Sequence, residues 1–226
     1  MMLHIPQVLK PQQVAECRQV LQQAKWVDGR QTAGATSAQV KNNLQLPTDS
    51  AEAQRLGQTI LAALERNALF MSAALPRRVL APRFNCHQAG QSYGLHVDNA
   101  VQRLAGGELL RSDLSATLFL SAPEEYQGGE LEIVASLATH SIKLAAGDLL
   151  LYPSTSLHQV CPVTQGTRLC AFFWLQSMVR DAEQRRLLFE LDQSVQQLSR
   201  ELGHGHASVV QLTGVYSNLV RQWAEI

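Results

Sequence analysis

The side chains with the clearest potential for chemistry are His96 and Asp98, together with His158 much later in the chain. On a β-strand alternate residues share a face, so His96 and Asp98 would point the same way, about 7 Å apart along the strand. A histidine from a distant strand can complete a triangle with them. Two imidazoles and one carboxylate on one side of a metal leave positions open for other ligands, which is typical of non-haem iron(II) sites that activate oxygen. Because the H-x-D spacing is common by chance, the alternative is two surface strand residues and one buried structural histidine.

Arg168 strengthens this interpretation because it follows His158 by ten residues, across the turn residues Thr164-Gln165-Gly166. A three-residue hairpin loop with Gly166 in the left-handed conformation would pair His158 with Phe172 and turn Arg168 to the same face. The offset between His158 and Arg168 would be about 14 Å. A five-carbon dicarboxylate that chelates the metal could span this gap, since a guanidinium grips a carboxylate through two parallel hydrogen bonds. The alternative is an exposed strand arginine.

The elements that would position these residues are short strands. Between residues 78 and 177, apolar runs alternate with turn residues such as Gly128-Gly129 and Gly147-Asp148. About eight short strands in this region predict an antiparallel double-stranded β-helix, or jelly roll, rather than a parallel sheet. The predicted strands are residues 79–87, 93–99, 114–122, 130–135, 140–144, 148–153, 157–162 and 167–176.

Residues 1–77 are predicted to form helices that pack on this core. Pro11 stands at a first helical turn and precedes apolar residues at helical spacing. A second helix is predicted to begin at Asp49, with Glu52 as its capping partner, and its apolar face continues to Asn67. The predicted fold is therefore mainly β with flanking helices, in which the jelly roll spans residues 78–177.

Residues 178–226 are predicted to form a helical extension of two helices. Apolar residues step by three and four from Leu188 to Leu202, and the breaker Gly203-His204-Gly205-His206 precedes a last helix that carries Val215. The two breaker histidines could bind a metal, but a solvated turn is the simpler interpretation. The stripe from Leu188 predicts either an intramolecular packing face or a seam between two copies, so a homo-oligomer through these helices stays open.

The composition fits a folded protein with a substantial core. Of 226 residues, 46% are hydrophobic, and 19 Lys and Arg balance 19 Asp and Glu, so no basic face for nucleic acid is expected. No apolar run approaches the roughly 20 residues of a membrane helix, and the start of the chain lacks the pattern of a secretory signal. The four cysteines form no C-x-x-C pair and are predicted to be reduced, which favours a cytoplasmic protein without membrane partners.

In combination, the motifs resemble those of the iron(II)- and 2-oxoglutarate-dependent dioxygenases, and within them the bacterial PKHD-type hydroxylases related to prolyl 4-hydroxylases. The resemblance extends over essentially the whole chain and includes the ligand and Arg168 positions. It also rests on Trp26-Val27-Asp28-Gly29, Thr32-Ala33-Gly34, Lys41-Asn42-Asn43, residues 93–100 and 111–117, Gly128-Gly129-Glu130-Leu131, Gly147-Asp148, residues 151–154 and Phe172-Phe173-Trp174.

The resemblance implies that His96, Asp98 and His158 bind Fe(II) and that Arg168 holds the co-substrate 2-oxoglutarate. It also implies consumption of O2, release of succinate and CO2, and the use of L-ascorbate to keep the iron reduced. The substrate stays open between a peptidyl residue and a small molecule, since bacterial relatives are also associated with iron and siderophore uptake.

The resemblance also bears on further positions near the site. His87 stands where a tyrosine often helps to hold the co-substrate, so His87 is predicted either to contact 2-oxoglutarate or to be a packing histidine. Tyr93 is a second candidate for contact with the co-substrate. Lys41, Asn42 and Asn43 are predicted to lie in a loop at the rim of the substrate site.

Two other classes of function are compatible with the same residues. A Zn(II)-dependent hydrolase could use two histidines and one aspartate around a metal-bound water, but it gives no reason for Arg168. A non-catalytic jelly-roll module could use these residues to sense iron or a keto acid without turnover. Production of succinate coupled to loss of a substrate distinguishes the three.

Overall fold

The computed structural model describes residues 1–32, 38–104, 106–135 and 137–226, so Ala33 and Gly34 of the predicted motifs lie outside it. In chain order its strands are β1 Leu3–Ile5, β2 Val27–Asp28, β3 Lys41–Asn42, β4 Leu44–Gln45, β5 Pro76–Val79, β6 Arg83–Gln88, β7 Ser92–His96, β8 Val101–Arg103, β9 Leu109–Arg111, β10 Leu114–Phe119, β11 Tyr126–Gly128, β12 Leu131–Val134, β13 Thr139–Ile142, β14 Leu149–Pro153, β15 Leu157–Val160 and β16 Val163–Ser177. Its helices are α1 Pro11–Gln23, α2 Ala51–Glu65, α3 Ala68–Ala74, α4 Ala182–Leu202 and α5 Ala207–Trp223.

The larger of the two main sheets carries the hydrophobic core on one face and a cleft on the other. Its strands run in the order β1-β14-β10-β16-β6-β4-β2, and β5 and β11 also pair with β16. Alternation along β16 separates the two faces: Leu169 and Ala171 pack in the core, whereas Arg168 and Cys170 line the cleft. A strand that is buried on both faces needs few polar residues, which is why β16 is largely apolar.

The smaller sheet closes the cleft from the other side. Its order is β13-β12-β15-β7-β3, and its strands β15 and β7 place His158 directly opposite His96. Leu131 and Val160 of this sheet pack with Phe119 of the larger sheet in a second apolar cluster. Two antiparallel sheets with a cleft between them and helices at both chain ends confirm the predicted jelly roll with flanking helices.

The predicted hairpin between His158 and Arg168 is wrong. Strand β15 pairs with β12 and β7, while β16 pairs with β10 and β6, so the chain crosses from the smaller sheet to the larger one after β15. The predicted loop residues 164–166 already belong to β16, where Gly166, with a φ of 77°, pairs with Tyr126. His158 and Arg168 therefore line one cleft from opposite sheets and not from neighbouring strands.

Each of the eight predicted strand regions contains a strand, although the bounds differ. The region 79–87 is two strands, β5 and β6, separated by a break that contains Pro82. Strands β1 to β4, the β8–β9 hairpin and β11 were not predicted. They are two or three residues long, which is too short for alternation of apolar and polar residues to be recognised.

The N-terminal helices cover the core face of the larger sheet. Helix α1 begins at Pro11 as predicted. Helix α2 is capped by Ser50 and not by the predicted Asp49, since the Ser50 hydroxyl accepts the Ala53 backbone N–H at 3.2 Å. Asn67 does not continue the apolar face of α2. Its side chain accepts the Phe70 N–H at 2.9 Å and begins α3, a helix that the periodicity did not reveal.

The C-terminal helices form a pair against the edge of the jelly roll. Leu188 of α4 is fully buried against Val179, with residues of α5 packed around them. The predicted face is only partly buried: Val195 is half-buried, and Leu202 and Val215 are 49% and 44% exposed. His206 caps α5 by accepting the Ser208 N–H. None of the helices in the described ranges has the length and apolarity that a membrane crossing requires.

Candidate metal centre and co-substrate cleft

The cleft between the sheets brings together His96, Asp98, His158 and Arg168. His96 is the last residue of β7, Asp98 follows in an irregular segment, and His158 lies on β15. The side chains of His96, Asp98 and His158 are only 7%, 11% and 6% exposed. Arg168 enters from β16 of the opposite sheet and is 1% exposed. The four predicted residues therefore share one largely dry site.

Both histidines have the tautomer that a metal ligand needs. Nδ1 of His96 lies 2.7 Å from the Gly94 carbonyl oxygen, and Nδ1 of His158 lies 2.9 Å from that of Ser156. A carbonyl oxygen only accepts, so Nδ1 must carry the proton in each ring. Each Nε2 therefore has a free lone pair, and the backbone fixes the orientation of the ring.

A hydroxyl orients the carboxylate. Ser115 of β10 donates a hydrogen bond of 2.6 Å to Oδ2 of Asp98, and its oxygen is also 2.8 Å from the hydroxyl of Ser154. Because β7 has ended before Asp98, strand alternation alone does not fix this side chain. The hydrogen bond from Ser115, on a strand of the larger sheet, fixes the Asp98 side chain instead.

The donor atoms form a compact triangle. Nε2 of His96 is 3.9 Å from Oδ1 of Asp98, and Nε2 of His158 is 3.8 Å from Oδ2. One donor atom from each residue lies within 4.8 Å of the others, and these three form the one converging group of His, Cys, Asp or Glu in the described ranges. Two neutral imidazoles and one carboxylate fit a divalent transition metal such as iron(II).

Aromatic neighbours keep the histidine rings in place and dry. The Tyr93 ring stacks on His96 with centroids 3.7 Å apart, and the Tyr152 ring meets His158 edge-on at 5.3 Å. Burial, followed by the nearby His158, lowers the pKa of His96 well below its usual value. His96 is therefore neutral near pH 7 and available as a ligand.

Arg168 is a buried cation with unused donors. Its Nη1 donates to Sγ of Cys170 at 3.0 Å, while Nε and Nη2 make no hydrogen bond with any residue that the structure describes. The Phe119 ring lies 5.3 Å from its guanidinium carbon, and no ion pair to Arg168 is formed among the described residues. Since an uncompensated buried charge is costly, this arrangement fits an anionic ligand that supplies the missing acceptors.

The Gly128-Gly129 motif gives the stem of Arg168 its space. Both glycines have positive φ, of 69° and 68°. A Cβ on Gly129 would come within 3.1 Å of Cδ of Arg168 and 2.9 Å of the Val163 side chain. Gly129 therefore leaves the space that the aliphatic stem of Arg168 occupies, because a Cβ at this position would press against Cδ.

His87 lies across from Arg168. The two residues are paired between β6 and β16, and His87 is completely buried. The Asn43 amide nitrogen donates to Nε2 of His87 at 3.2 Å, whereas Nδ1 has no hydrogen-bond partner among the described residues. Burial, then the charges of Arg168 and Lys41, lowers the pKa of His87 well below its usual value. His87 is thus a neutral donor on the same face as the Arg168 guanidinium.

The residues predicted for a rim loop are instead on and beside a strand. Lys41 and Asn42 form β3, and Lys41 and Asn43 are only 5% and 2% exposed. Lys41 lines the cleft, and its ammonium donates to the Gln45 side chain at 2.9 Å. Burial and the nearby Arg83 lower the pKa of Lys41 to about 8. The two-residue strand was missed because it is too short to show alternation.

Two further cleft residues were not identified from the sequence. Ser115 acts through its contact with Asp98, and Arg83 lines the cleft with its guanidinium carbon 5.1 Å from the Trp174 ring centroid. Neither residue type is distinctive within a strand. The register of β6 and β10 against β16 would have been needed to find them, and only the folded sheet provides it.

Two family signatures match the chain, one over the jelly roll and one over the C-terminal helices. The signature of the 2OG-Fe(II) oxygenase superfamily matches residues 82–176, and that of the PKHD-type hydroxylase C-terminal domain matches residues 182–225. A PKHD-type hydroxylase from Stenotrophomonas maltophilia (strain R551-3) is 57% identical over 226 residues, which is the full length of both chains. A PKHD-type hydroxylase from Beijerinckia indica is 53% identical over 227 residues, again at full coverage of both.

Solved structures share the fold at low sequence identity. A Pseudomonas putida prolyl-4-hydroxylase matches with a TM-score of 0.51 and 20% identity, over 78% of this chain and 92% of its own. HygX from Streptomyces hygroscopicus, solved with nickel, 2-oxoglutarate and hygromycin B bound, matches with a TM-score of 0.53 and 18% identity, over 78% and 82%. From the full-length relatives and the oxygenase signature, the chain belongs to the PKHD-type hydroxylases, a family of 2-oxoglutarate- and iron(II)-dependent oxygenases.

Proposed function

We propose that His96, Asp98 and His158 hold Fe(II) in this hydroxylase and that Arg168 binds the distal carboxylate of 2-oxoglutarate. The observation that carries the assignment is the presence, in one cleft, of a converging His-Asp-His group and a fully buried guanidinium with unused donors. A Zn(II) hydrolase would account for the first feature but not for the second. The guanidinium therefore favours the oxygenase over that alternative.

Iron(II) and 2-oxoglutarate, when bound, supply the oxidising chemistry that consumes O2, releases succinate and CO2, and hydroxylates a C–H bond. The chain contributes position and environment. His96 and His158 present neutral Nε2 atoms, and Ser115 directs the Asp98 carboxylate. The packed rings of Tyr93 and the other cleft aromatics exclude water from the ligands.

His87 and Tyr93 have distinct proposed roles. The N–H of His87 at Nδ1 lies on the same strand-pair face as Arg168, so it can donate to the same distal carboxylate. This supports contact with the co-substrate over a purely packing role. Tyr93 lines the cleft but stacks on His96, which supports a role in holding the ligand ring, with contact to 2-oxoglutarate as a second role.

The proposal also covers the other reactants of the enzyme. We assign O2 as a partner, L-ascorbate as the reductant that maintains Fe(II), and either a peptide or a small molecule as substrate. Both substrate types occur among the structural neighbours, since one is a prolyl hydroxylase in complex with a peptide fragment and HygX holds hygromycin B.

Cellular setting and assembly are proposed on separate grounds. The four cysteines are free thiols, which supports a reducing, cytoplasmic location. The balanced charge disfavours nucleic acid as a partner. Leu187, Leu202 and Val215 on the C-terminal helices are exposed, which supports a homo-oligomer through this face.

The decisive experiment measures iron stoichiometry and 2-oxoglutarate decarboxylation in His96→Ala, Asp98→Ala and His158→Ala. Three protein bonds hold the metal, so the loss of one should abolish iron-dependent turnover while near-UV circular dichroism stays that of the parent. His140→Ala, a change at an exposed histidine, is the matched control and should keep full activity. Full activity in any of the three ligand variants would remove that residue from the site.

A further inference from the structure

A pair of cations, Lys41 and Arg83, lies in the cleft in addition to Arg168. Lys41 comes from the edge strand β3 of the smaller sheet and Arg83 from β6 of the larger sheet. They are close enough for the charge of Arg83 to lower the pKa of Lys41. Two like charges brought together by different sheets are unfavourable, and Asp28 and Asp98 offset them only in part, since the pKa of Lys41 is lowered on balance.

The sheet register separates the backbone of Arg83 from that of Arg168. On β6 and β16, His87 pairs with Arg168 and Arg83 pairs with Phe172. Because the two pairs are four residues apart on the same face, Arg83 lies about 14 Å along the strands from Arg168. The backbone positions of Arg83 and Arg168 are therefore well separated, and the two side chains enter the cleft from different places.

The same register places Arg83 at the level of the metal ligands. Ser115, which contacts Asp98, pairs with Trp174 on β16, only two residues beyond Phe172. Strand β16 lies between β10 and β6, so about two strand spacings, or roughly 10 Å, separate the Ser115 side from Arg83. A molecule between them would lie beside the metal-binding residues.

Aromatic rings define this end of the cleft. The guanidinium carbon of Arg83 is 5.1 Å from the Trp174 centroid, and Lys41 Nζ is 5.9 Å from the Phe172 centroid. The Phe172 and Trp174 rings meet edge-on at 5.4 Å. The packing fixes both cations, and the neutral Gln45 amide that accepts from Lys41 orients its ammonium.

The charges of the filled site point to the ligand. Asp98 is the one carboxylate among the described residues that line the cleft. Asp98 and the chelating carboxylate of 2-oxoglutarate balance a divalent metal, and Arg168 balances the distal carboxylate. Lys41 and Arg83 then add positive charge beside the metal, which attracts an oxyanion and disfavours a cation.

We propose that the substrate of this hydroxylase carries a carboxylate or phosphate group, which Lys41 and Arg83 bind on the β3 and β6 side of the cleft. This inference rests on the proposed function and adds a substrate class to it. The anchored group would hold the C–H bond to be hydroxylated between Arg83 and the metal. Substrates with a cationic group near the reacting carbon are rejected.

The test is calorimetric and needs no turnover. Protein loaded anaerobically with Fe(II) and saturating 2-oxoglutarate is titrated with inorganic phosphate, acetate or neutral acetamide at low ionic strength. Phosphate and acetate should bind and acetamide should not. Tighter phosphate binding indicates a phosphorylated substrate, and tighter acetate binding indicates a carboxylate. Absence of binding by both anions overturns the proposal.

Variants locate the anion. Arg83→Gln and Lys41→Met should each weaken anion binding at least tenfold and leave the 2-oxoglutarate dissociation constant within about twofold of the parent value. Arg77→Gln, at an exposed position on β5, is the matched control and should change neither. Arg83→Lys, which retains a charge and an aliphatic stem, should recover part of the phosphate affinity and covers the case that Arg83→Gln does not fold.

Two results would contradict the assignment. Equal anion affinity in Arg83→Gln and the parent overturns it, and so does a loss of 2-oxoglutarate affinity in Arg83→Gln, because Arg83 would then serve the co-substrate. A failure of the underlying function would be visible earlier, as absence of 2-oxoglutarate binding by the iron-loaded parent.

Discussion

The hydroxyl of Ser115 donates a 2.6 Å hydrogen bond to Oδ2 of Asp98, and this contact joins the two sheets at the proposed metal centre. Asp98 follows the end of β7 in the smaller sheet, whereas Ser115 belongs to β10 in the larger one. The carboxylate is therefore oriented by a strand on which it does not lie. Ser115 itself is 2% exposed and held by Ser154, so the contact is rigid.

Ser115→Ala should weaken iron binding without removing a ligand. Loss of a hydrogen bond to a metal-bound carboxylate typically costs about 10- to 100-fold in affinity. The measurement is an anaerobic Fe(II) titration of the purified variant, with Ser194→Ala, an exposed position on α4, as the control. If Ser115→Ala binds iron as tightly as the parent, then Asp98 is oriented by the metal and not by the serine.

Arg168→Met should weaken the binding of 2-oxoglutarate without weakening the binding of iron. Iron should still bind, but the loss of a charged, hydrogen-bonded pair in a dry site costs about 2–5 kcal/mol, which is roughly a 30- to 5,000-fold loss of 2-oxoglutarate affinity. Without 2-oxoglutarate the variant should melt at a higher temperature than the parent, because a buried uncompensated charge has been removed. Arg168→Lys should recover only part of the affinity, since a point charge cannot form the paired hydrogen bonds.

A titration of the anaerobic, iron-loaded protein, followed by its metal-to-ligand charge-transfer band, gives these affinities. An unchanged dissociation constant in Arg168→Met would overturn the clamp assignment. The main argument against a zinc hydrolase would be lost with it.

The residues of the converging His-Asp-His group could be predicted because their chemistry is explicit in residue type. His96, Asp98 and His158 form a recognisable donor set, and the turn residues around them indicated a jelly roll. The register was not predictable in the same way. Arg168 was expected on the same face as His158 through a hairpin that does not exist, and the correct neighbourhood arises because the chain changes sheets after β15.

Residues whose role depends on pairing between distant strands were missed or misplaced. Lys41 was expected at a rim, yet β3 pairs it with Tyr93 and buries it. The position of Arg83 in the cleft follows from the pairing of β6 with β16. The role of Ser115 follows from its hydrogen bond to Asp98. No local pattern specifies such pairings, because contacts between segments far apart in sequence are fixed by the packed sheet.

Acid should destabilise the metal-free protein partly through His87. Its pKa is lowered in the folded state, so the unfolded chain takes up the proton first as the pH falls below about 6.5. Its contribution is fully present above that pH and is lost below it, by about 1.4 kcal/mol per pH unit until the folded-state pKa is reached. Urea unfolding at pH 7.5, 6.5 and 5.5 should show a smaller loss in His87→Gln than in the parent, while His140→Gln, at an exposed position, behaves as the parent. Equal acid sensitivity in His87→Gln would mean that His87 is not buried neutral.

The neighbouring leucines Leu188 and Leu187 test how the C-terminal helices contribute. Leu188 is fully buried against Leu75 and Val179, whereas Leu187 is 47% exposed on the same helix. Leu188→Ala should therefore lower the free energy of unfolding by about 2–5 kcal/mol through lost contacts and a residual cavity. Leu187→Ala should change it by less than about 0.5 kcal/mol, because an exposed side chain loses few contacts. Denaturant unfolding of both variants measures the difference, and sedimentation shows whether Leu187 lies in a subunit seam.

If Leu188→Ala unfolds like the parent, α4 is not anchored to the jelly roll through this residue. If Leu187→Ala instead dissociates an oligomer, the exposed face of α4 is an interface between copies of the chain.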